Sequence, residues 1–200
     1  MKYLKGIIVG LFVLCLSAVA AQASVLDLKP GTIMVHNAVY NSDFAEFYEA
    51  TSHDGIDHYR IILHTPGGDA FSCTAIINRM LELQKKGIKF TTELYGMGMS
   101  AGSYIFMMGD ERIVHQGAIL MWHTIEAQIE QAKKDGQFVR VPENSMRMIR
   151  LLDNNIRRLF KRATGMSDES VRYWLDGGGA QFMSALTAYN VGIATKLIRN

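Results

Sequence analysis

Apolar residues along this chain keep changing their period, and each change marks a different element. Thr32 to His36 and Tyr59 to His64 have the short apolar character of strands, the second containing the unbroken run Ile61-Ile62-Leu63 of a buried strand. Asp43 to Ala50 reads as a helix between them. From Ala70 to Lys86 the residues Cys73, Ile76, Ile77, Met80 and Leu83 recur at helical spacing, and Gly87 stops the helix. Ile88, Phe90, Thr92 and Leu94 then alternate with polar neighbours, which predicts a strand leading to Gly96. Ala101 to Met108 is small or apolar throughout, as in a fully buried helix. Arg112 to Val114 and Ala118 to Trp122 read as two more strands. A polar helix is expected over Ile125 to Lys134, a short exposed strand over Gln137 to Val141, and a long amphipathic helix over Ser145 to Ala163 with Ile149, Leu152, Ile156 and Leu159 on one face. Gly165 ends that helix and Asp168 caps a shorter one. Asp176-Gly177-Gly178-Gly179 reads as a flexible loop before a last helix over Ser184 to Asn190. This alternation predicts a layered α/β domain with a largely parallel sheet.

The first 23 residues stand apart. Lys2 and Lys5 precede the apolar run Gly6 to Ala21, and Ala21-Gln22-Ala23 offers a small-x-small cleavage site, the organisation of an export signal removed after Ala23. The expected location is periplasmic or secreted. The alternative is an uncleaved segment anchoring the chain in the inner membrane, its only expected membrane contact. Ser24 to Asn200 has the length of a single domain. Without Lys2 and Lys5 the basic residues equal the 19 acidic ones, and a neutral chain offers nothing to nucleic acid. Cys15 is one more apolar residue of the signal, so Cys73 alone survives processing. No internal disulfide can form, and Cys73 lies on an apolar helix face as an inert thiol. No metal or cofactor is expected.

The candidate chemistry is that of a serine hydrolase. In Gly98-Met99-Ser100-Ala101-Gly102 a serine stands between glycines at a strand-to-helix turn, which projects its hydroxyl from a tight bend. Pro66-Gly67-Gly68 is a second turn whose backbone can approach a substrate carbonyl because it lacks Cβ atoms. His123, the last histidine, follows Ser100. An α/β-hydrolase would need Asp110 or Glu111 and His123 within one short helix-strand unit, too tight for that fold. Separately, Ser100 could be a helix N-cap and His123 a core histidine; together with two glycine turns they point to catalysis.

With these residues assembled, the chain resembles the proteolytic subunit of Clp protease and, more broadly, the Clp-protease/crotonase superfamily, over roughly Tyr59 to Ile198. His64-Thr65-Pro66-Gly67-Gly68 resembles the family's Asn-Ser-Pro-Gly-Gly turn, Gly96 to Gly102 its nucleophile segment, and Met121-Trp122-His123-Thr124 its Met-Ile-His-Gln segment. Phe182-Met183-Ser184-Ala185, followed by Tyr189-Asn190-Val191-Gly192-Ile193, is similar to its closing element. The resemblance implies a layered fold of repeated β-β-α units with a protruding handle after His123. It implies Ser100 as nucleophile, His123 as base, the N–H groups of Gly68 and Ala101 as oxyanion hole, a peptide or unfolded protein as substrate, and a homo-oligomer.

The chain departs from the family in three places. Ala180 stands where the family's catalytic Asp is expected, so Asp176, four residues upstream, is the nearest carboxylate to orient His123; without it the site is a dyad. Ser24 to Asp57 does not resemble the region that engages an unfoldase, and an exported enzyme lacks ATP, so no ATPase partner is expected. Ser100-Ala101-Gly102-Ser103-Tyr104 is also similar to signal peptide peptidase A, which uses a Ser-Lys dyad; Lys133 and Lys134 read as solvated lysines of a polar helix instead. The expected function is a serine endopeptidase acting through an acyl-enzyme. The alternative is a catalytically silent scaffold or assembly protein, for which Ala180 is the best argument. Crotonase-like acyl-CoA chemistry would not need Ser100, and coenzyme A is cytosolic.

Overall fold

The structure, a computed structural model, describes residues 24–176 and 180–199. The export signal and the glycines 177–179 read as a loop lie outside the described residues.

An eight-stranded mixed sheet forms the centre. Its strands are β1 (Val25–Lys29), β2 (Thr32–Val39), β3 (His58–Gly68), β4 (Lys89–Met99), β5 (Glu111–His115), β6 (Ile119–Trp122), β7 (Gln181–Ser184) and β8 (Lys196–Ile198). The helices are α1 (Asp43–Ala50), α2 (Ala70–Lys85), α3 (Ala101–Met107), α4 (Ile125–Lys134), α5 (Glu143–Thr164), α6 (Asp168–Asp176) and α7 (Ala185–Asn190). Strand order is β1-β2-β3-β4-β5-β8, with β6 also on β4 and β7 on β6. Among the described residues only β1·β2 and β6·β7 are antiparallel. The arrangement is the Clp-protease/crotonase-like layered α/β fold.

The branch at β4 positions the site. β4 is long enough to pair with β5 through Thr91–Leu94 and then with β6 through Met97–Met99. Between those stretches the β3·β4 register shifts, from Leu63↔Leu94 to Thr65↔Gly98, and the end of β4 turns toward β6. Ile33, Val35, Ile61, Leu63, Phe90 and Leu94 alternate onto the buried face, where Ile76, Ile77 and Met80 of α2 and all of α3 cover them. Trp122 and Phe160 join α5 to this core edge-to-face, ring centroids 5.7 Å apart.

Several expectations need correction. Residues 137–141 form no strand, and Phe138 is 93% exposed. β1, β7 and β8 are strands the periodicity did not announce, because each is a short edge strand with a single partner, whereas the equally short β5 and β6 are paired on both sides. The Pro66-Gly67-Gly68 turn is the end of β3, still paired with β2 through Ala38↔Gly67 and Val39↔Gly68. Ser167, not Asp168, accepts the Ser170 N–H and caps α6; Asp168 pairs with Lys161 at 2.7 Å. α6 runs on to include Asp176.

Candidate active site

Ser100 sits between β4 and α3 with φ 51° and ψ −117°, a left-handed conformation that costs a non-glycine residue on the order of 1–3 kcal/mol. The surroundings hold it there. Its N–H donates to Met121 O at 2.8 Å, and Ser103 shares its single hydroxyl proton between Gly98 O at 2.7 Å and Met121 O, binding the elbow to β6. The hydroxyl makes no cap hydrogen bond to α3, so it is not spent as an N-cap. Gly67, at φ 92°, packs against the elbow so tightly that a Cβ there would lie 2.5 Å from Met99 O and 2.9 Å from Ala101 N. Opposite Val39, it is Asp69 whose N–H bonds Val39 O at 2.8 Å, which leaves the Gly68 N–H off the β2 ladder.

Ser100, Ala101, Gly68 and His123 line one cavity of about 310 Å³, with Ile77, Tyr104, Ile156 and Leu159 among its apolar walls. The structure thus brings together four of the five residues singled out in the sequence. Among the described residues no hydrogen bond joins Ser100 to His123. The His123 ring is held by its own neighbour: Nδ1 lies 3.1 Å from Thr124 O, and because a carbonyl only accepts, Nδ1 is the donor, so in the neutral ring the lone pair is on Nε2. Tyr104 donates its hydroxyl to His123 O at 2.9 Å, and burial pushes that phenol well above its usual range.

Asp176 is not part of this arrangement. It pairs with Arg157 of α5 at 2.7 Å, and the family position at Ala180 holds no carboxylate. An arginine within reach captures a carboxylate more firmly than a neutral imidazole does. The carboxylate that does serve this segment was missed in the sequence: Asp153, fully buried on α5, accepts from Ile125 N at 2.9 Å and Glu126 N at 2.8 Å. With Thr124 Oγ1 accepting from Ala127 N at 3.1 Å, it caps α4 and fixes the backbone directly after His123. Burial pushes the Asp153 carboxyl up, against the pull of those two N–H groups and of Arg157. The one signal available was a lone acid on the apolar side of an amphipathic helix.

Cys73 lines the same cavity, but it is buried, its thiol is pushed up to about 12 by desolvation, and it is no nucleophile. Lys133 pairs with Glu130 at 2.8 Å on an exposed face. Among the described residues no group of side chains is arranged to hold a metal, and no helix is long and apolar enough to cross a membrane.

A family model described as Clp protease matches residues 17–200. The chain belongs to the Clp protease family. That membership makes it a protein of a peptidase family, and it covers β1 as well as the four motifs from which the resemblance was read. Comparison with curated proteins gives no match.

Proposed function

We propose that this Clp protease family member is an exported serine endopeptidase. The observation that carries the reading is Ser100 itself, held in a strained left-handed turn with its hydroxyl uncapped, on the wall of a cavity it shares with His123. A structural N-cap would gain nothing from that strain. In the proposed mechanism His123 Nε2 takes the Ser100 proton as Oγ attacks the peptide carbonyl, the N–H groups of Gly68 and Ala101 hold the oxyanion, and His123 returns the proton to the leaving amine. Water then cleaves the acyl-enzyme by the same base. Substrate closes the Ser100–His123 hydrogen bond.

The orienting role falls to the Thr124 carbonyl, braced by Asp153, and the catalytic group is a dyad. Export rests on the signal ending at Ala23, which places the mature enzyme in the periplasm or outside the cell, where it acts without an ATPase. Assembly as a homo-oligomer rests on the family resemblance and on the exposed apolar residues Phe138, Met148 and Leu151 around the start of α5.

A fluorophosphonate probe tests the reading. Labelling of the wild type, abolished in Ser100→Ala, is the expected result. A folded wild type that resists the probe and cleaves no peptide identifies the silent scaffold instead.

A further inference from the structure

Ser24 and Asp43 are both fully buried, and Ser24 Oγ donates to Asp43 Oδ2. The only other donor to Asp43 among the described residues is the Tyr40 N–H; Oδ1 is buried with no partner at all. A buried carboxylate supplied with two neutral donors and only the positive end of α1 is costly, and it either takes up a proton or is met by a full positive charge. No lysine, arginine or histidine of the described residues pairs with it. Ser24 is also the residue that becomes the amino terminus when the export signal is removed after Ala23. An α-nitrogen lies roughly 3 Å from the Oγ of its own residue, and that Oγ touches Asp43, so the new ammonium is born within roughly 5 Å of the carboxylate and reaches it by rotation of the freed terminus.

We propose that processing after Ala23 creates a buried ion pair between the α-ammonium of Ser24 and Asp43, locking the amino terminus into the fold. Export signals are removed during translocation, so the chain folds with the ammonium already free. The pair has a second consequence. Asp43 closes the turn that leaves β2 at Tyr40, directly after Val39, the strand partner of Gly68. The mature terminus therefore stiffens the support of one wall of the cavity. The inference rests on the processing read from the signal and not on the hydrolytic reading, and its test uses no activity.

The exported protein is first sequenced from its amino terminus, where Ser24 is expected; any other first residue overturns the processing and the pair together. The protein beginning at Ser24 is then compared with one retaining Ala23, each with Asp43 and with Asp43→Asn. Retaining Ala23 moves the ammonium one residue away and should lower the melting midpoint by about 5 to 10 °C. Asp43→Asn should lower it in the mature protein and cost much less in the extended one. Equal melting of the mature and extended proteins, or an equal cost of Asp43→Asn in both, overturns the pair alone. If the Asp43→Asn protein does not fold, periodate oxidation of the amino-terminal serine decides: at least about tenfold slower in the native mature protein than after unfolding supports burial, and equal rates overturn it.

Discussion

A Cβ placed on Gly67 would stand 2.8 Å from the Cβ of Ser100, so the glycine turn and the serine elbow share one packing surface. Gly67→Ala also forces an alanine to φ 92°. The expected outcome is loss of peptidase turnover by at least about 100-fold, with about 2 kcal/mol lost from stability, read by a peptide assay and urea unfolding. An alanine variant as active and stable as the wild type would show that the elbow tolerates displacement.

The strain at Ser100 predicts a trade between stability and activity. Ser100→Gly removes the proposed nucleophile and also the left-handed penalty, so the variant should lose peptidase turnover and yet be more stable than the wild type by about 1 kcal/mol. Thermal melting of the two proteins checks the sign.

Asp153 and Asp176 should respond differently. Asp176→Asn breaks a surface pair with Arg157 and should change turnover less than about threefold. Asp153→Asn leaves an α4 N–H poorly satisfied and lets the Thr124 carbonyl drift, so kcat should fall about 10- to 100-fold with KM little changed. If Asp176→Asn costs thousands-fold instead, the acid orients His123 during turnover and the dyad assignment fails.

Acid stability should depend on Glu93. Burial pushes its carboxyl up, but hydrogen bonds from His115 at 2.8 Å and Arg60 at 2.7 Å outweigh that and hold it below the usual range. A depressed carboxyl stabilises the fold above its unfolded value of about 4.3, and the contribution is lost as pH falls through the folded value. The stability advantage of the wild type over Glu93→Gln, measured by urea midpoint, should therefore be full at neutral pH and shrink below about pH 4.

Assembly is tested at the same exposed residues that suggested it. The processed protein should sediment as an oligomer at micromolar concentration, and Leu151→Glu, at a site 62% exposed, should shift it toward monomer without lowering its melting temperature. A wild type that sediments as a monomer removes the claim.

What could be read from the sequence alone follows from which signals are local. The periods around Cys73 to Leu83 and around Ile88 to Leu94 are set by one element burying one face, and the structure has α2 and β4 there. The glycines flanking Ser100 and the order of Ser100 and His123 are likewise local chemistry, and both line one cavity. β1, β7 and β8 were illegible because such short segments are strands only by virtue of the edge they join. Asp176 could not be assigned from spacing, because its partner, Arg157, lies on another helix and competes for it. The Thr124 carbonyl carries no side-chain signal, and Asp153 reaches the α4 N-terminus only once α5 has packed against it. Side-chain type and period are inherited from the chain; which donor meets which acceptor across elements is decided by packing, which places groups distant in sequence within 3 Å of one another.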